Sequence, residues 1–172
     1  SYFTEATIHF ADAEQLEEPI LKQINGQWVY ASGYTIITDY TGLAEYGGNF
    51  FHISNGVLDW NYSGLSYYQG NWWYVSNGVI DWSYTGLTNY YGTWYYVTNG
   101  YLDWNVTTLT YFYDAWYYVE NGVLNWNYTG LAEYCGGYYH IANGVLDWGY
   151  TGLSYYYGDW YYVTNGCIDW NY

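Results

Sequence analysis

The stretch NWWYVSNGVIDWSYTGLTNYYG, residues 71–92, decides the fold because the rest of the chain repeats it. Copies begin at residues 27, 49, 71, 93, 115, 137 and 159, always 22 residues apart and without an insertion. A fixed period of this length is typical of an array of stacked units rather than of a domain with one central core. We therefore interpret residues 27–172 as a repeat array and residues 1–26 as an N-terminal cap or the tail of an upstream domain.

Each copy except the first contains an Asn-Gly pair between two short aromatic runs. In the quoted copy, Asn77-Gly78 separates residues 72–75 from residues 80–84. Asn-Gly is the strongest short signal for a two-residue hairpin turn, because both central residues of that turn need a positive φ. The pattern predicts one β-hairpin per repeat, followed by a connector that begins Tyr-Thr-Gly-Leu.

The length of the turn sets the pairing across the hairpin. For a two-residue turn, the predicted pairs are Val75–Ile80, Tyr74–Asp81 and Trp73–Trp82. The alternative is a three-residue turn with a bulge at Gly78, which would shift the pairing by one residue and bring Trp72 opposite Trp82.

A lone two-stranded hairpin is marginal in water, so the hairpins must stack on one another. Aromatic residues make up 27% of the chain and supply the area for that stacking. The expected fold is an all-β β-solenoid of about seven stacked 22-residue hairpin repeats, with almost no helix outside residues 11–25.

One Trp of the second strand never varies among the six full repeats, whereas first-strand positions accept Phe, Tyr, Trp or His. We expect this Trp to be the largely buried packing residue of the stack, and the first-strand aromatics to be more exposed. The invariant positions are Trp60, Trp82, Trp104, Trp126, Trp148 and Trp170.

The net charge is −15, with a single Lys, no Arg and 16 Asp plus Glu. Nucleic acid is excluded as a partner, because phosphate neutralisation needs Lys and Arg. The chain has no run of 18 apolar residues and no signal-peptide pattern, so we expect no membrane insertion. It begins with Ser, which favours a processed or excised piece of a longer protein.

Catalysis finds little support in the sequence. His52 would face Asp59 and His140 would face Asp147, but Tyr occupies the His position in other repeats and no nucleophile is evident beside either pair. The pattern therefore favours a His or Tyr that bonds to the facing carboxylate. One Asp per repeat does not make a calcium site, so we expect a protein that is not an enzyme and has no cofactor or metal.

The two cysteines occupy unlike places in their repeats. Cys135 stands in a connector, and Cys167 follows a turn. We interpret both as small apolar substitutions, with a disulfide or a reactive thiol as the alternative.

Rows of aromatic residues are the strongest functional signal. In the first strand of several repeats, Trp and Tyr alternate on one face, and stacking brings the rows of adjacent repeats together. Such rings stack on sugar faces or enclose a quaternary ammonium group, although many of them must also pack hairpin on hairpin. The candidate ligand-binding residues are Trp72, Tyr74, Trp94, Tyr96, Trp116, Tyr118, Trp160 and Tyr162.

The segments TWYYVTNGYLDW (93–104), AWYYVENGVLNW (115–126) and DWYYVTNGCIDW (159–170), with their Tyr-Thr-Gly-Leu connectors, resemble the cell-wall-binding repeats of Gram-positive bacterial surface proteins. That group includes the choline-binding, glucan-binding and clostridial toxin repeats. The resemblance implies a β-solenoid that holds ligands between consecutive hairpins. In choline-binding members the cage consists of the first and third aromatics of WYY and the Trp after Thr-Gly. The corresponding residues here are Trp72, Tyr74 and Leu87, then Trp94, Tyr96 and Leu109, so Leu replaces the third aromatic wall.

The leading hypothesis is a non-catalytic module, secreted or at the cell surface, that binds cell-wall or extracellular polysaccharide, or a choline-like cation, through aromatic grooves between repeats. The alternative is a structural stalk or a self-assembling fibre with no small ligand, which associates through the ends of the array.

Overall fold

The computed structural model describes residues 17–172. All regular elements in that range are β-strands, in agreement with the expected all-β fold. The sequence also predicts a strand over residues 7–10 and a short acidic helix or loop over residues 12–18. Residues 7–10 and 12–16 lie outside the described residues. The first strand of the described chain is Ile20–Ile24.

Three strands recur in each repeat, and we number them in chain order. The five-residue strands are β1 (Ile20–Ile24), β4 (Gly42–Tyr46), β7 (Gly64–Tyr68), β10 (Gly86–Tyr90), β13 (Thr108–Phe112), β16 (Gly130–Tyr134) and β19 (Gly152–Tyr156). The six-residue strands are β2 (Gln27–Ser32), β5 (Asn49–Ser54), β8 (Asn71–Ser76), β11 (Thr93–Thr98), β14 (Ala115–Glu120), β17 (Gly137–Ala142) and β20 (Asp159–Thr164). The two-residue strands are β3 (Thr35–Ile36), β6 (Val57–Leu58), β9 (Val79–Ile80), β12 (Tyr101–Leu102), β15 (Val123–Leu124), β18 (Val145–Leu146) and β21 (Cys167–Ile168).

The Asn-Gly turn has the predicted two-residue form. Asn77 has a φ of 49° and Gly78 a φ of 81°, and Val75 pairs with Ile80. The amide of Asp81 donates to the carbonyl of Tyr74 at 2.9 Å, which continues the same register. The predicted pairs Val75–Ile80 and Tyr74–Asp81 are therefore confirmed, and the bulged alternative is wrong. The predicted pair Trp73–Trp82 does not form, because Trp73 pairs with Tyr101 of the next repeat.

The connector is also a strand, which the sequence pattern did not predict. β10 pairs with β11 over five positions, from Gly86–Val97 to Tyr90–Thr93. The turn between them is Tyr91-Gly92, where Tyr91 takes the positive φ that Asn takes in the other turn. The longer hairpin of each repeat therefore starts at Tyr-Thr-Gly-Leu.

The same arrangement begins before residue 27. β1 pairs with β2 over five positions, from Ile20–Ala31 to Ile24–Gln27. Residues 20–24, which the sequence pattern assigned to the cap, therefore form the first strand of a complete long hairpin.

Contacts along the chain define two compact units. The first contains the described residues up to Gly70 together with Val75–Ile80, and the second contains Asn71–Tyr74 and Asp81–Tyr172. Both units have the same repeat architecture, and each is described by itself below.

Within the second unit, consecutive repeats are joined through the glycine of the Asn-Gly turn. The amide of Gly122 donates to the carbonyl of Val106, and its carbonyl accepts from the amide of Tyr96, both at 2.8 Å. A Cβ atom on Gly122 would lie 2.5 Å from the Asp103 carbonyl oxygen and 2.9 Å from the Cα of Trp104. The glycine is thus needed for its positive φ and for close backbone packing.

The first unit uses the same contact. The carbonyl of Gly56 accepts from the amide of Tyr30 at 2.8 Å, and the carbonyl of Gly78 accepts from the amide of His52 at 2.8 Å. Stacked hairpins joined in this way form the expected β-solenoid.

The buried core of each unit is aliphatic. Val97 and Val119 of the long strands are 0% exposed, and the Leu after Thr-Gly is 1% exposed at Leu87 and 2% at Leu109. Leu153, in the last of the described repeats, is 57% exposed.

The expectation that the invariant second-strand Trp is largely buried is wrong. Trp104 is 50% exposed, and its equivalents are 47–70% exposed. The first-strand Trp72 and Trp94, expected to be more accessible, are instead half-buried. The reason is that the next repeat packs on the backbone of Trp104 at Gly122, which leaves the indole ring on the outside of the stack.

Gly122 of the Asn-Gly turn and Gly92 of the turn before β11 have different surroundings, so we expect their substitution to destabilise the protein by different amounts. Gly122→Ala and Gly92→Ala both place a side chain at a positive φ, but a Cβ on Gly92 meets nothing within 4 Å. We expect Gly92→Ala to lower the free energy of unfolding by about 1 kcal/mol, and Gly122→Ala by about 3 kcal/mol, because the backbones of two repeats must separate. Thermal and denaturant melts of both variants compare them, and equal losses would contradict the proposed role of the glycine contact.

Candidate functional site

The Tyr-Thr-Gly-Leu motif fixes each repeat on the next. The hydroxyl of Tyr84 donates to the carbonyl of Leu87, and the hydroxyl oxygen of Thr85 accepts from the amide of Asn99 at 2.9 Å. Leu87 is thereby held at the start of β10 with its side chain buried. The motif places one aliphatic and several aromatic side chains at defined positions between consecutive repeats.

These side chains surround a cavity of about 330 Å³ in the second unit. We call it the aromatic cage and define it by Leu87, Trp94, Phe112, Tyr117, Leu124 and Trp126. The exposed Tyr113 also lines the cavity. The rings form two edge-to-face pairs, with centroids 5.1 Å apart for Trp94–Phe112 and 5.8 Å apart for Tyr117–Trp126. Leu87 and Leu124 are buried below the rings.

Two successive repeats supply the cage. Leu87 and Trp94 come from the hairpin β10–β11, and Phe112 and Tyr117 come from the hairpin β13–β14. Trp126 follows the short strand β15 and is 47% exposed, so its ring is accessible from outside.

An equivalent cage lies 44 residues further along the chain. It is lined by Leu131, Tyr138, Tyr156, Tyr161, Ile168 and Trp170. Its cavity is only about 70 Å³. Tyr138 lies edge-on to Trp170 across it, with centroids 6.1 Å apart.

The first unit contains the same ring pairs. Trp28 and Tyr46 have centroids 4.6 Å apart, and Phe51 and Trp60 have centroids 5.7 Å apart. Leu58 is buried at the position that corresponds to Leu124. The cage is therefore a property of the repeat.

The predicted first-strand residues have related positions. Trp94 lines the cage, and Trp72 and Trp116 make the corresponding contact with an aromatic in the first strand of the following hairpin. The ring centroids are 4.9 Å apart for Trp72–Tyr90 and 5.0 Å apart for Trp116–Tyr134. Trp160 is 64% exposed and lies against Tyr155 with centroids 5.4 Å apart.

The predicted third aromatics do not line these cages. Tyr74 and Tyr118 stack on the Tyr of the Tyr-Thr-Gly motif, with centroid separations of 3.9 Å for Tyr74–Tyr84 and 4.1 Å for Tyr118–Tyr128. Tyr162 stacks in the same way on Tyr172, at 3.7 Å. Tyr96 has Val106 at the corresponding position and packs on the cluster around Leu87. Each Trp-Tyr set that we predicted as one site is thus divided between different surroundings.

Sequence reasoning missed Phe112, Tyr117 and Trp126. Phe112 was overlooked because its segment was interpreted as a connector, although the residue before the turn is aromatic in all six full connectors. Trp126 was noticed for its constancy but was assigned to the core. Constancy at an exposed position is the signal that marks it as a cage residue.

His52 and His140 are buried rather than poised for catalysis. Nδ1 of His52 lies 2.7 Å from the hydroxyl oxygen of Ser66, and the imidazole stacks on Tyr62 at 3.6 Å. His140 makes the same contact with Ser154, also at 2.7 Å. The predicted bond from His to the facing carboxylate is therefore not the contact that forms.

The hydroxyl groups beside the two His side chains were not foreseen, since we expected no nucleophile there. His52 is 3% exposed and Ser66 is 2% exposed, so a substrate has no access to this pair. Asp59 instead accepts from the amide of Asn61 at 3.0 Å and from the hydroxyl of Ser54 at 3.1 Å.

Burial makes the two histidines sensitive to acid. Burial lowers the pKa of His52 from 6.5 to about 4, although the nearby charge of Asp59 acts in the opposite direction. The pKa of His140 is lowered for the same reason. The contribution of His52 to stability is therefore fully present above about pH 6.5 and is lost as the pH falls toward 4.

Acid sensitivity is testable with residues that the chain already uses elsewhere. We expect the parent protein to lose about 2 kcal/mol through His52 between pH 7.5 and pH 5. The double variant His52→Tyr/Ser66→Thr copies Tyr74 and Thr88 of the next repeat and should lose correspondingly less. Thermal melts at both pH values measure the difference, and equal losses would show that His52 is not responsible.

Within residues 17–172 no three His, Cys, Asp or Glu side chains converge as a metal site. Cys135 is exposed, Cys167 is half-buried, and both are free thiols. The described part of the chain contains no helix that could cross a membrane.

A family model described as a choline-binding repeat matches the chain in six tandem segments. They are residues 39–59, 61–81, 83–103, 105–125, 127–147 and 149–169. The matched segments span most of the array, including the strands and turns that build the cages. No curated protein sequence matches the chain significantly.

Proposed function

Because this chain belongs to the choline-binding repeat family, we propose that it is a binding module whose aromatic cages take a quaternary ammonium group such as that of choline. The observation that carries the proposal is the cage of about 330 Å³ between two repeats, with four rings around two buried leucines. The family is one of cell-wall and choline-binding modules.

The chemistry of the cage suits a methylated cation. A quaternary ammonium has no N–H to donate, so the negative faces of aromatic rings stabilise it instead, by about 0.5–2 kcal/mol per ring. The cage provides the rings of Trp94, Phe112, Tyr117 and Trp126. The net charge of −15 also favours the approach of a cation.

The Leu that replaces Trp after Thr-Gly does not remove the aromatic wall. Leu87 lies in the buried floor, and Trp126 from the following repeat supplies a ring at the accessible side. The ring count needed for a cation is thus maintained by a different residue.

A neutral sugar is less well matched to the cage. Among its seven lining side chains, the only polar groups are two indole N–H groups and two tyrosine hydroxyls. A sugar needs several such groups to replace its bonds to water. Polysaccharide enters this proposal as the polymer that carries the ammonium groups.

Repetition of the cage suits attachment to a polymer. Several weak sites on one chain gain affinity together when the polymer presents many ligands. We infer a non-catalytic module that works outside the cell at a cell wall rich in choline-like groups.

Choline binding can be separated from simple apolar burial with a neutral analogue. We expect choline to bind to the intact protein, and its uncharged isostere 3,3-dimethylbutan-1-ol to bind at least about tenfold more weakly, because only the cation gains from the ring faces. Titration calorimetry and Trp fluorescence measure both. Equal binding of the two molecules would overturn the proposed chemistry.

Variants locate the site in the same assay. Trp94→Leu and Trp126→Leu should each reduce the number of choline molecules bound by one. Tyr34→Ala is the matched control, because Tyr34 is 89% exposed and lies outside the cages. A stoichiometry unchanged by both Trp variants would show that choline binds elsewhere.

A further inference from the structure

A second and chemically different cavity lies in the second unit. It is a groove of about 570 Å³, open to solvent. We call it the tyrosine groove, and its principal lining residues are Thr108, Tyr118, Glu120, Tyr128, Glu133 and Tyr156. None of the six residues that define the aromatic cage lines it.

The groove occurs where the repeat departs from its own pattern. Thr108 stands where the other repeats have Gly, and Val106 stands where they have Tyr. At the next repeat, a Cβ on Gly130 would lie 2.8 Å from the carbonyl oxygen of Tyr155, so β16 and β19 approach closely there. Thr108 has a side chain at this position, and Thr108 and Glu133 both line the groove.

The walls of the groove are tyrosines whose rings are held in place. Tyr118 and Tyr128 stack with centroids 4.1 Å apart, and Tyr156 lies edge-on to Tyr157 at 4.6 Å. Burial and then the charge of Glu120 raise the pKa of Tyr118 to about 12, so its hydroxyl stays protonated. The groove thus combines ring faces with neutral hydroxyl groups.

Two carboxylates complete the lining. Glu120 is the only acidic residue at its position in the repeat, where the other copies have Ser, Thr or Ala. Its Oε2 accepts from Nδ2 of Asn125 at 2.7 Å, and Oε1 of Glu133 accepts from the amide of Gly136 at 2.8 Å. These bonds orient the two side chains without neutralising them, and the only Lys of the chain, Lys22, belongs to the first unit.

We propose that the tyrosine groove binds a small molecule that carries a primary ammonium group on a hydroxylated skeleton. A primary ammonium has three N–H groups that can donate to the carboxylates of Glu120 and Glu133, and its charge is opposite to theirs. The tyrosine and threonine hydroxyl groups pair with the hydroxyls of the skeleton, and the rings cover its C–H face. A quaternary ammonium lacks these donors and belongs in the aromatic cage.

The class of ligand is tested with three sugars of nearly the same shape. The probes are glucosamine, which carries a primary ammonium, glucose, which has a hydroxyl in its place, and N-acetylglucosamine, which has a neutral amide. We expect glucosamine to bind to the full chain at least about tenfold more tightly than the other two sugars. Its affinity should fall as the NaCl concentration is raised. Equal binding of glucose would establish a neutral sugar site, and no binding of glucosamine would remove the site altogether; either result overturns the proposal.

The roles of Glu120 and Glu133 are tested with variants that remove the charge and keep the shape of the side chain. Glu120→Gln and Glu133→Gln should each lower the affinity for glucosamine about tenfold, while the number of bound choline molecules stays unchanged. Glu45→Gln is the matched control: Glu45 stands in the same Thr-Gly-Leu-Ala-Glu-Tyr segment and accepts from the amide of Gly48 at 2.8 Å, but does not line the groove. Circular dichroism checks that each variant folds. Affinity unchanged in both groove variants, or equally reduced in the control, would contradict the assignment.

Discussion

The backbone contact at the Asn-Gly glycine is the constraint on which the rest of the structure depends. Gly122 exchanges two hydrogen bonds with the preceding repeat and touches its Asp103-Trp104 backbone, where a side chain has no space. Because this contact recurs at all six Asn-Gly turns from Asn55-Gly56 to Asn165-Gly166, it sets the repeat spacing independently of the side chains around it. The aromatic residues are therefore free to vary without loss of the fold.

The separation between the backbone contact, which fixes the repeats, and the aromatic side chains around it explains the high aromatic content. The buried interior is made of Val, Leu and Ile, which fill a narrow space between hairpins, while Trp104 and its equivalents keep their rings at the surface. An aromatic content of 27% is thus not primarily a substitute for a core. It provides ring faces at positions that the backbone contact has already fixed, as rigid elements do for binding sites in general.

The repeat, the all-β class and the hairpin register were predictable because they follow from local signals. A fixed 22-residue period and the Asn-Gly pair require only the conformational preferences of the turn residues. The strand character of the connector was not predicted, because the turn at Tyr91-Gly92 puts a bulky residue at a positive φ and so lacks the usual Asn-Gly signal. Phe112 was lost from the candidate site through that omission.

The prediction that the second-strand Trp is buried was wrong for a different reason. Invariance shows that a position is constrained, but it does not distinguish a side chain needed for packing from one needed at a surface. Only the geometry of Gly122 against the Trp104 backbone separates the two, and that contact joins residues 18 positions apart. The stacking of the third aromatics on the Tyr of Tyr-Thr-Gly was not predicted either, because the predicted strand pairing places Tyr74 opposite Asp81 and says nothing of its contact with Tyr84.

Strand alternation explains how one repeat can serve two ligand chemistries. Tyr117 and Tyr118 are neighbours on β14, and their side chains point to opposite faces of the strand. Tyr117 lines the aromatic cage, whereas Tyr118 lines the tyrosine groove. In the proposed assignment, a quaternary ammonium, which has no N–H group, suits the ring faces of the cage. A primary ammonium, which has three N–H groups, suits the carboxylates of the groove. Because Tyr117 and Tyr118 belong to separate cavities, a substitution at one of them can change its cavity while the other cavity keeps its lining. The equivalent cage is less independent, since Leu131 and Tyr156 line both it and the tyrosine groove.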